Sequence, residues 1–204
     1  MGDPRSIKSK YSRPAHPWQK DRIDEEHALV HEYGLKNKTE IYRARSTLKT
    51  YADLAKKLIA ARGTQADKEK QQLLSRLTRL GLVKTGAQMD DVLGLQLKNI
   101  LDRRLQTMVA RKNLARSVNQ SRQFIVHEHV MVGNRVVSSP SYHVPTSEEG
   151  SLALVATSPF ASATHPERTL PPMKFEPLRP KMDDRRRGPP RRDMRRPAPR
   201  GDRK

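Results

Sequence analysis

The chain has 204 residues, with 41 Lys and Arg against 22 Asp and Glu, a formal net charge of +19, and no Cys. Only 34% of its residues are hydrophobic and 4% aromatic, whereas ordinary domains are roughly 45–50% apolar on a broader count that includes Gly. A large continuous core is therefore not expected, and part of the chain is expected to be unfolded when alone. Disulfides and thiolate metal sites are excluded. No stretch approaches the roughly 18 uninterrupted apolar residues of a membrane span, and the opening residues hold no apolar signal-peptide run. The expectation is a cytoplasmic protein with no membrane partner, whose charge calls for a polyanion, nucleic acid by default.

Residues 1–22 carry Arg5, Lys8, Lys10, Arg13, Lys20 and Arg22 among Pro4, Pro14 and Pro17, which reads as a basic extended arm rather than a helix. Its Trp18 is the only Trp of the chain; it either packs on the protein's own surface or stacks on a base. From Ile23 the pattern turns helical, with Asp24, Glu25 and Glu26 at the favoured end and Gly34 as the stop. His27 and His31 have the spacing of a two-His metal helix, but Ala28 stands where a zinc-protease signature needs Glu. They read as exposed histidines. Thr39 is expected to cap the next helix, whose apolar positions are Ile41, Leu48, Tyr51, Ala52, Leu54, Ala55, Leu58 and Ile59. Gly63 closes it, and Thr64 opens another through Leu73, Leu74, Leu77 and Leu80 to Gly81. Arg43, Arg45, Lys49, Lys56, Lys57 and Arg62 dot the outside of this helical region and suit phosphate contact in so basic a chain.

Residues 101–144 are the informative stretch. A helix placing Leu101, Leu105, Met108 and Val109 on one apolar arc would carry Arg104 and Arg111 nearly in line beside it, with Lys112 and Arg116 extending the basic edge. Ser117 followed by Gln120 is a capping-box signature for a second helix through Phe124 and Ile125. Gly133-Asn134 between Val130-Met131-Val132 and Arg135-Val136-Val137 predicts a tight type I′ hairpin, Val130 opposite Val137 and Met131 opposite Val136. His127-Glu128-His129 has metal-like residue types, though alternation along a strand accounts for it. Pro140-Ser141-Tyr142 bends the chain, and Leu152-Ala153-Leu154-Val155 can close the sheet. From Pro159 the composition becomes linker: ten of the 15 prolines lie there, and residues 181–204 hold 11 Lys and Arg against four Asp.

Leu101-Asp102-Arg103-Arg104-Leu105, Ala110-Arg111-Lys112, Leu114-Ala115-Arg116-Ser117, Gly133-Asn134 and Pro140-Ser141-Tyr142 together resemble the S-four RNA-binding domain. More narrowly, Arg103-Arg104-Leu105-Gln106-Thr107, Arg122-Gln123-Phe124-Ile125-Val126-His127, Asp91-Val92-Leu93-Gly94-Leu95 and Tyr33-Gly34-Leu35-Lys36-Asn37-Lys38 are similar to the small-subunit ribosomal protein four family. The archaeal and eukaryotic cytosolic branch fits best, and His16-Pro17-Trp18 looks archaeal. The expected fold is α+β: a basic arm over 1–22, a helical domain over 23–100, and an S-four-like module over 101–157 with two helices on a small antiparallel sheet. A disordered Pro/Arg-rich tail over 158–204 completes it.

The resemblance implies a structural component of the small ribosomal subunit that binds the five-prime domain of its rRNA early in assembly. It also implies neighbours in small-subunit proteins three and five, proximity to mRNA at the entry channel, an influence on decoding accuracy, and no homo-oligomer. Carried over, the RNA contacts are Arg103, Arg104, Arg111, Lys112, Arg116, Asn119, Gln120, Arg122, His127, Arg135 and Tyr142. Arg13, Trp18, Lys20, Arg22, Arg43 and Lys49 join them from the arm and helical region. Some family members hold a metal through arm cysteines; without Cys that site is missing here, and no metal or other cofactor is expected. The same module is appended to several RNA-modifying enzymes, but no P-loop, GxGxxG or Ser-His-Asp pattern accompanies it and residues after Val144 are too few for a catalytic domain. The rivals are a charge-driven binder of structured RNA or DNA and an rRNA assembly or recycling factor.

Overall fold

The computed structural model describes Ser9, residues 11–162, His165 and Pro166. Arg5, Lys8 and Lys10 of the arm and the charged Pro/Arg tail after Pro166 lie outside the described residues. Helix α1 (Lys20–Glu32) begins at Lys20 rather than Ile23, so Lys20 and Arg22 sit in its first turn. The reason is local. The Arg22 guanidinium donates to the carbonyls of His16 and Pro17 at 2.7 and 2.9 Å, tying the proline-bearing segment to the helix start. Glu26, read from the sequence as one of three acids at the helix start, is buried and accepts from Arg22, Lys38 and Tyr42.

Helix α2 (Lys38–Ala60) is capped at Asn37, not Thr39. It buries Ile41, Ala44, Tyr51, Ala55 and Leu58. Leu54 and Ile59 are exposed: Leu54 lies at the edge of the buried arc, and Ile59, although in phase with Ile41, lies in the last turn of the helix. Helix α3 (Thr64–Arg79) starts where Thr64 predicts and buries Leu73 and Leu77 one turn apart. A short α4 (Met89–Leu93) escaped the sequence reading although Asp91 Oδ2 accepts from the Gln88 N–H at 2.9 Å, half of a capping box. α2 is the spine: it packs on α1, α3, α4 and α5 (Leu97–Asp102). One apolar cluster joins Tyr51, Ala55, Leu58, Leu73, Leu77, Met89 and Val92, and a second joins Tyr33, Leu35, Ile41, Ala44, Ile100 and Leu101.

The single helix expected from Leu101 through Val109 is in fact two, α5 and α6 (Leu105–Arg111), broken at Arg103 and Arg104. Arg104 has extended backbone angles, φ −72° and ψ 142°. Segment 140–144 pairs with the break: the Leu105 N–H donates to Tyr142 O at 2.7 Å and the Val144 N–H to Arg103 O at 3.0 Å. Those long-range bonds outweigh continued helix. Arg104 and Arg111 therefore do not share a helical line. α6 is buried on nearly every side, with Leu105, Gln106, Thr107, Met108 and Val109 all inside.

Helix α7 (Val118–Val126) follows the Ser117 cap, whose hydroxyl accepts from the Gln120 N–H at 3.1 Å. The Gln120 side chain reaches back to the Arg116 N–H at 2.7 Å, one residue before the position of the standard reciprocal bond. Strands β1 (Val130–Val132) and β2 (Arg135–Val136) pair as predicted, Met131 opposite Val136, and the Val137 N–H donates to Val130 O at 3.3 Å. Of the two turn residues only Gly133 has positive φ (+60°), so the hairpin turn follows the type II′ pattern instead of I′. His127-Glu128-His129 is not a strand. His127 is the C-cap of α7 and Glu128 takes φ +62°. Helix α8 (Thr146–Glu149) leads to β3 (Leu152–Leu154), which pairs with β1 to complete a β2-β1-β3 antiparallel sheet. Leu105, Met108, Val109, Phe124, Ile125, Val130, Val132, Val144 and Leu152 form the core beneath it. The expected linker starts with a 3-10 turn, Pro159–Ala161, capped by Ser158, and Phe160 packs on that core. A single Phe supplies enough apolar surface to hold this piece down.

Candidate nucleic-acid interface

The cations expected at the interface fall into two classes. Some face water and some are engaged inside the protein. Arg104 is the extreme case: its side chain is 5% exposed and ion-paired to Glu40 of α2. Arg122 of α7 donates to the other oxygen of Glu40 at 2.8 Å and to Gln106 Oε1 at 3.3 Å. One carboxylate thus holds two guanidiniums, one from the α5–α6 break and one from α7. Burial alone would raise the Glu40 carboxyl, but the bond from Arg122 and the charges of Arg104 and Arg122 hold it below its ordinary value. Burial pulls Arg104 below its ordinary value while Glu40 pulls it back. Gln106 completes the network by donating to Gly34 O at 2.9 Å and Val118 O at 3.0 Å.

This network fixes a surface at the 33–36 turn. Gly34 takes φ +55°, and a Cβ there would lie 2.6 Å from Asn119 Oδ1, so only glycine allows the turn to meet the start of α7. Tyr33 OH donates to Asp102 at 2.9 Å, and the same carboxylate pairs with Arg111, whose side chain is 55% exposed. Burial and then the Asp102 bond push the Tyr33 phenol well above its ordinary value, so it stays a donor. Arg111, Asn119 and Lys36 are exposed around this junction.

A second group surrounds α8. Arg103 donates to Glu149 Oε2 at 2.9 Å and Val144 O at 2.8 Å, and the Lys112 ammonium donates to the Glu149 carbonyl. Arg135 stays 60% exposed while its guanidinium lies 5.4 Å over the Tyr142 ring and donates to the Tyr142 hydroxyl at 2.6 Å. Tyr142 in turn donates to Glu148 at 2.6 Å, and burial together with that bond raises its pKa. Thr146 ties α8 to the end of α3 by donating to Arg79 O at 3.2 Å.

The described part of the arm lies along α2. The Ser12 N–H donates to Ser46 Oγ at 3.1 Å, and the Tyr11 and Tyr42 rings stack at 6.5 Å. Arg43 sits 5.9 Å over Tyr11. Arg13, Lys20, Arg43 and Lys49 are exposed, and Trp18 is 90% exposed, so it does not pack on the protein's own surface. His127 is exposed at the end of α7, and Arg116 and Gln120 are half-buried at its start. Among the described residues no cluster of His, Asp and Glu could hold a metal ion, and no helix is long and apolar enough to cross a membrane.

Comparison with known proteins decides the family. The chain is 48% identical over 170 residues to small ribosomal subunit protein uS4 of Methanococcus aeolicus, covering 83% of this chain and 96% of that protein. The chain belongs to the uS4 family. The uS4 proteins of Thermoplasma acidophilum and Picrophilus torridus are 47% and 46% identical over 171 residues, each match covering 82% of this chain and 86% and 93% of theirs. The S4 domain matches residues 103–149. In this uS4-family chain that segment runs from the break between α5 and α6 through α8, and so contains the α6–α7 pair, the hairpin and the acids that hold Arg103 and Arg135. Sequence reading missed Glu40, Gln106, Glu148 and Glu149. Gln106 left a trace, a polar residue amid the apolar positions of α6; Glu40, 64 and 82 residues from its partners, left none.

Proposed function

We propose that this chain is a structural, non-catalytic component of the small ribosomal subunit in the cytoplasm, binding the five-prime domain of its rRNA early in assembly. The single observation that carries this reading is identity of 46–48%, over 82–83% of this chain, with proteins named small ribosomal subunit protein uS4. Direct contacts fall to the cations that face water, foremost Arg111, Arg135, Arg43 and Lys49, with Asn119 beside them. Arg104, Arg122 and Arg103 act through the protein, holding α2, α6, α7 and α8 in one shape. Recognition is then of a folded RNA by phosphates, sugars and shape, because the deep major groove of RNA is closed to side chains. The charge of +19 makes binding salt-sensitive. In the assembled particle the chain adjoins small-subunit proteins three and five near the mRNA entry channel, as a single copy, and affects decoding accuracy. No cofactor takes part.

Sedimentation of a lysate on a sucrose gradient tests this. The protein is expected in the small-subunit peak after a high-salt wash. Release by salt, or migration as free protein, would replace the reading with a transient assembly factor or a charge-driven binder.

A further inference from the structure

The end of α7 and the 3-10 turn at Pro159–Ala161 enclose an open cleft of about 420 Å³, lined by Gln120, Gln123, Phe124, His127, His129 and Phe160. Its size falls within the roughly 300–1,000 Å³ of ligand clefts, and its lining is made of rings and amides. Phe124 is buried, and Phe160 packs on it with centroids 4.4 Å apart. His129 stands edge-on to Phe160 at 5.0 Å, and its Nδ1 lies 3.1 Å from the hydroxyl of the buried Ser158. The His127 ring is nearly parallel to that of His129, 28° between planes and 6.3 Å between centroids.

The backbone explains why both imidazoles meet there. α7 ends in a Schellman turn: the His129 N–H donates to Phe124 O at 2.9 Å and the Glu128 N–H to Ile125 O at 3.1 Å. Glycine usually fills the left-handed position of that motif, yet here Glu128 occupies it at φ +62°. A strand would also set residues 127 and 129 on one face; the reversal here instead turns His129 back over the helix end, against Phe124 and Phe160. No carboxylate lines the cleft among the described residues.

From this geometry we infer that the cleft receives one unstacked nucleobase of a single-stranded or junction nucleotide. The base stacks on the exposed His127 imidazole above a floor in which Phe160 is already packed by Phe124, His129 and His165, and its edge meets the Gln123 amide, which offers both a donor and an acceptor. Splayed RNA bases are recognised by this combination, ring faces on which they stack and polar groups that meet their edges. The inference rests on the RNA-binding reading above and goes beyond it, since a phosphate contact by His127 would need none of these rings.

The test uses the full chain with a transcript of the five-prime domain of small-subunit rRNA. Affinity is measured by filter binding, and base-edge reactivity is mapped by chemical probing with and without protein. The wild type is expected to protect at least one unpaired base. His127→Ala, at an exposed helix end, loses that protection and about 5- to 10-fold in affinity, the low end for a stacked base. His127→Phe retains both, His127→Lys retains neither, and Gln123→Ala weakens the protection. Melting curves confirm that each variant is folded before it is compared. The inference is overturned if His127→Lys matches the wild type while His127→Phe does not, or if no variant changes base reactivity. Failure of the wild type to bind the transcript at all overturns the RNA-binding reading itself and is seen before any variant is compared.

Discussion

Replacing Glu40 by Gln should damage the protein more than any other single charge change on α2. The side chains of Glu40, Arg104 and Arg122 are 13%, 5% and 25% exposed, so the carboxylate balances two guanidiniums largely out of water. Removing one partner from such a site leaves an uncompensated buried charge, at a cost of about 3–5 kcal/mol. The lower figure suits this site, because Arg122 keeps Gln106 and some water. For a chain of this size about 3 kcal/mol corresponds to a fall in Tm of roughly 6–12 °C. The control is Asp67→Asn, which breaks an i,i+3 pair with Lys70 whose carboxylate is 68% exposed and should cost under about 0.5 kcal/mol. Urea and thermal unfolding followed by circular dichroism give both numbers. Combining Glu40→Leu with Arg104→Met should recover at least half the loss, since a buried pair is replaceable by apolar groups. A loss below about 1 kcal/mol for Glu40→Gln, or simple additivity in the double variant, would refute the account of this network.

The same site sets an acid limb. Because folding lowers the Glu40 carboxyl, its contribution is complete above the ordinary carboxylate range and is lost as pH falls through the lower folded value. Melting temperature plotted from about pH 6 down to about pH 2 should therefore fall less steeply in Glu40→Gln than in the wild type. Ser117→Ala removes the hydroxyl that accepts from the Gln120 N–H and should cost about 1 kcal/mol in urea unfolding. Gly34→Ala meets both a left-handed φ and a 2.6 Å approach to Asn119, so it should cost at least about 1–2 kcal/mol; Gly63, at φ +118° and ψ 163°, has open surroundings but a backbone conformation nearly reserved for glycine, so Gly63→Ala should also cost about 1–3 kcal/mol. Arg111→Ala and Arg135→Ala should each reduce the salt slope of rRNA binding by about 1 with little change in Tm, while Arg104→Met should shift Tm; equal effects on both readouts would refute the division into exposed and internal cations.

Several elements are written in short stretches of sequence. Ser117 and Gln120 mark the start of α7, Thr64 the start of α3, and Gly133-Asn134 the hairpin and its register. The Ser117 cap and the hairpin turn work as signals because their bonds join residues two to four apart, so their energetics are local. The family motifs in 101–144 were legible for the same reason, being contiguous strings. The helix from Leu101 to Val109 misled because its apolar spacing was right while its continuity was decided by segment 140–144, which takes the hydrogen bonds of residues 103–105.

Charge shows the division most clearly. Composition alone determined that this chain carries +19, has no Cys and seeks a polyanion. Which of its arginines are left facing solvent was decided only in three dimensions. Arg104 and Arg111 are the same residue type, seven positions apart, yet one is buried against Glu40 and the other reaches solvent beside Asp102. Their fates depend on a carboxylate 64 residues from Arg104 and on a helix break made by segment 140–144, and neither is encoded in the neighbourhood of either arginine.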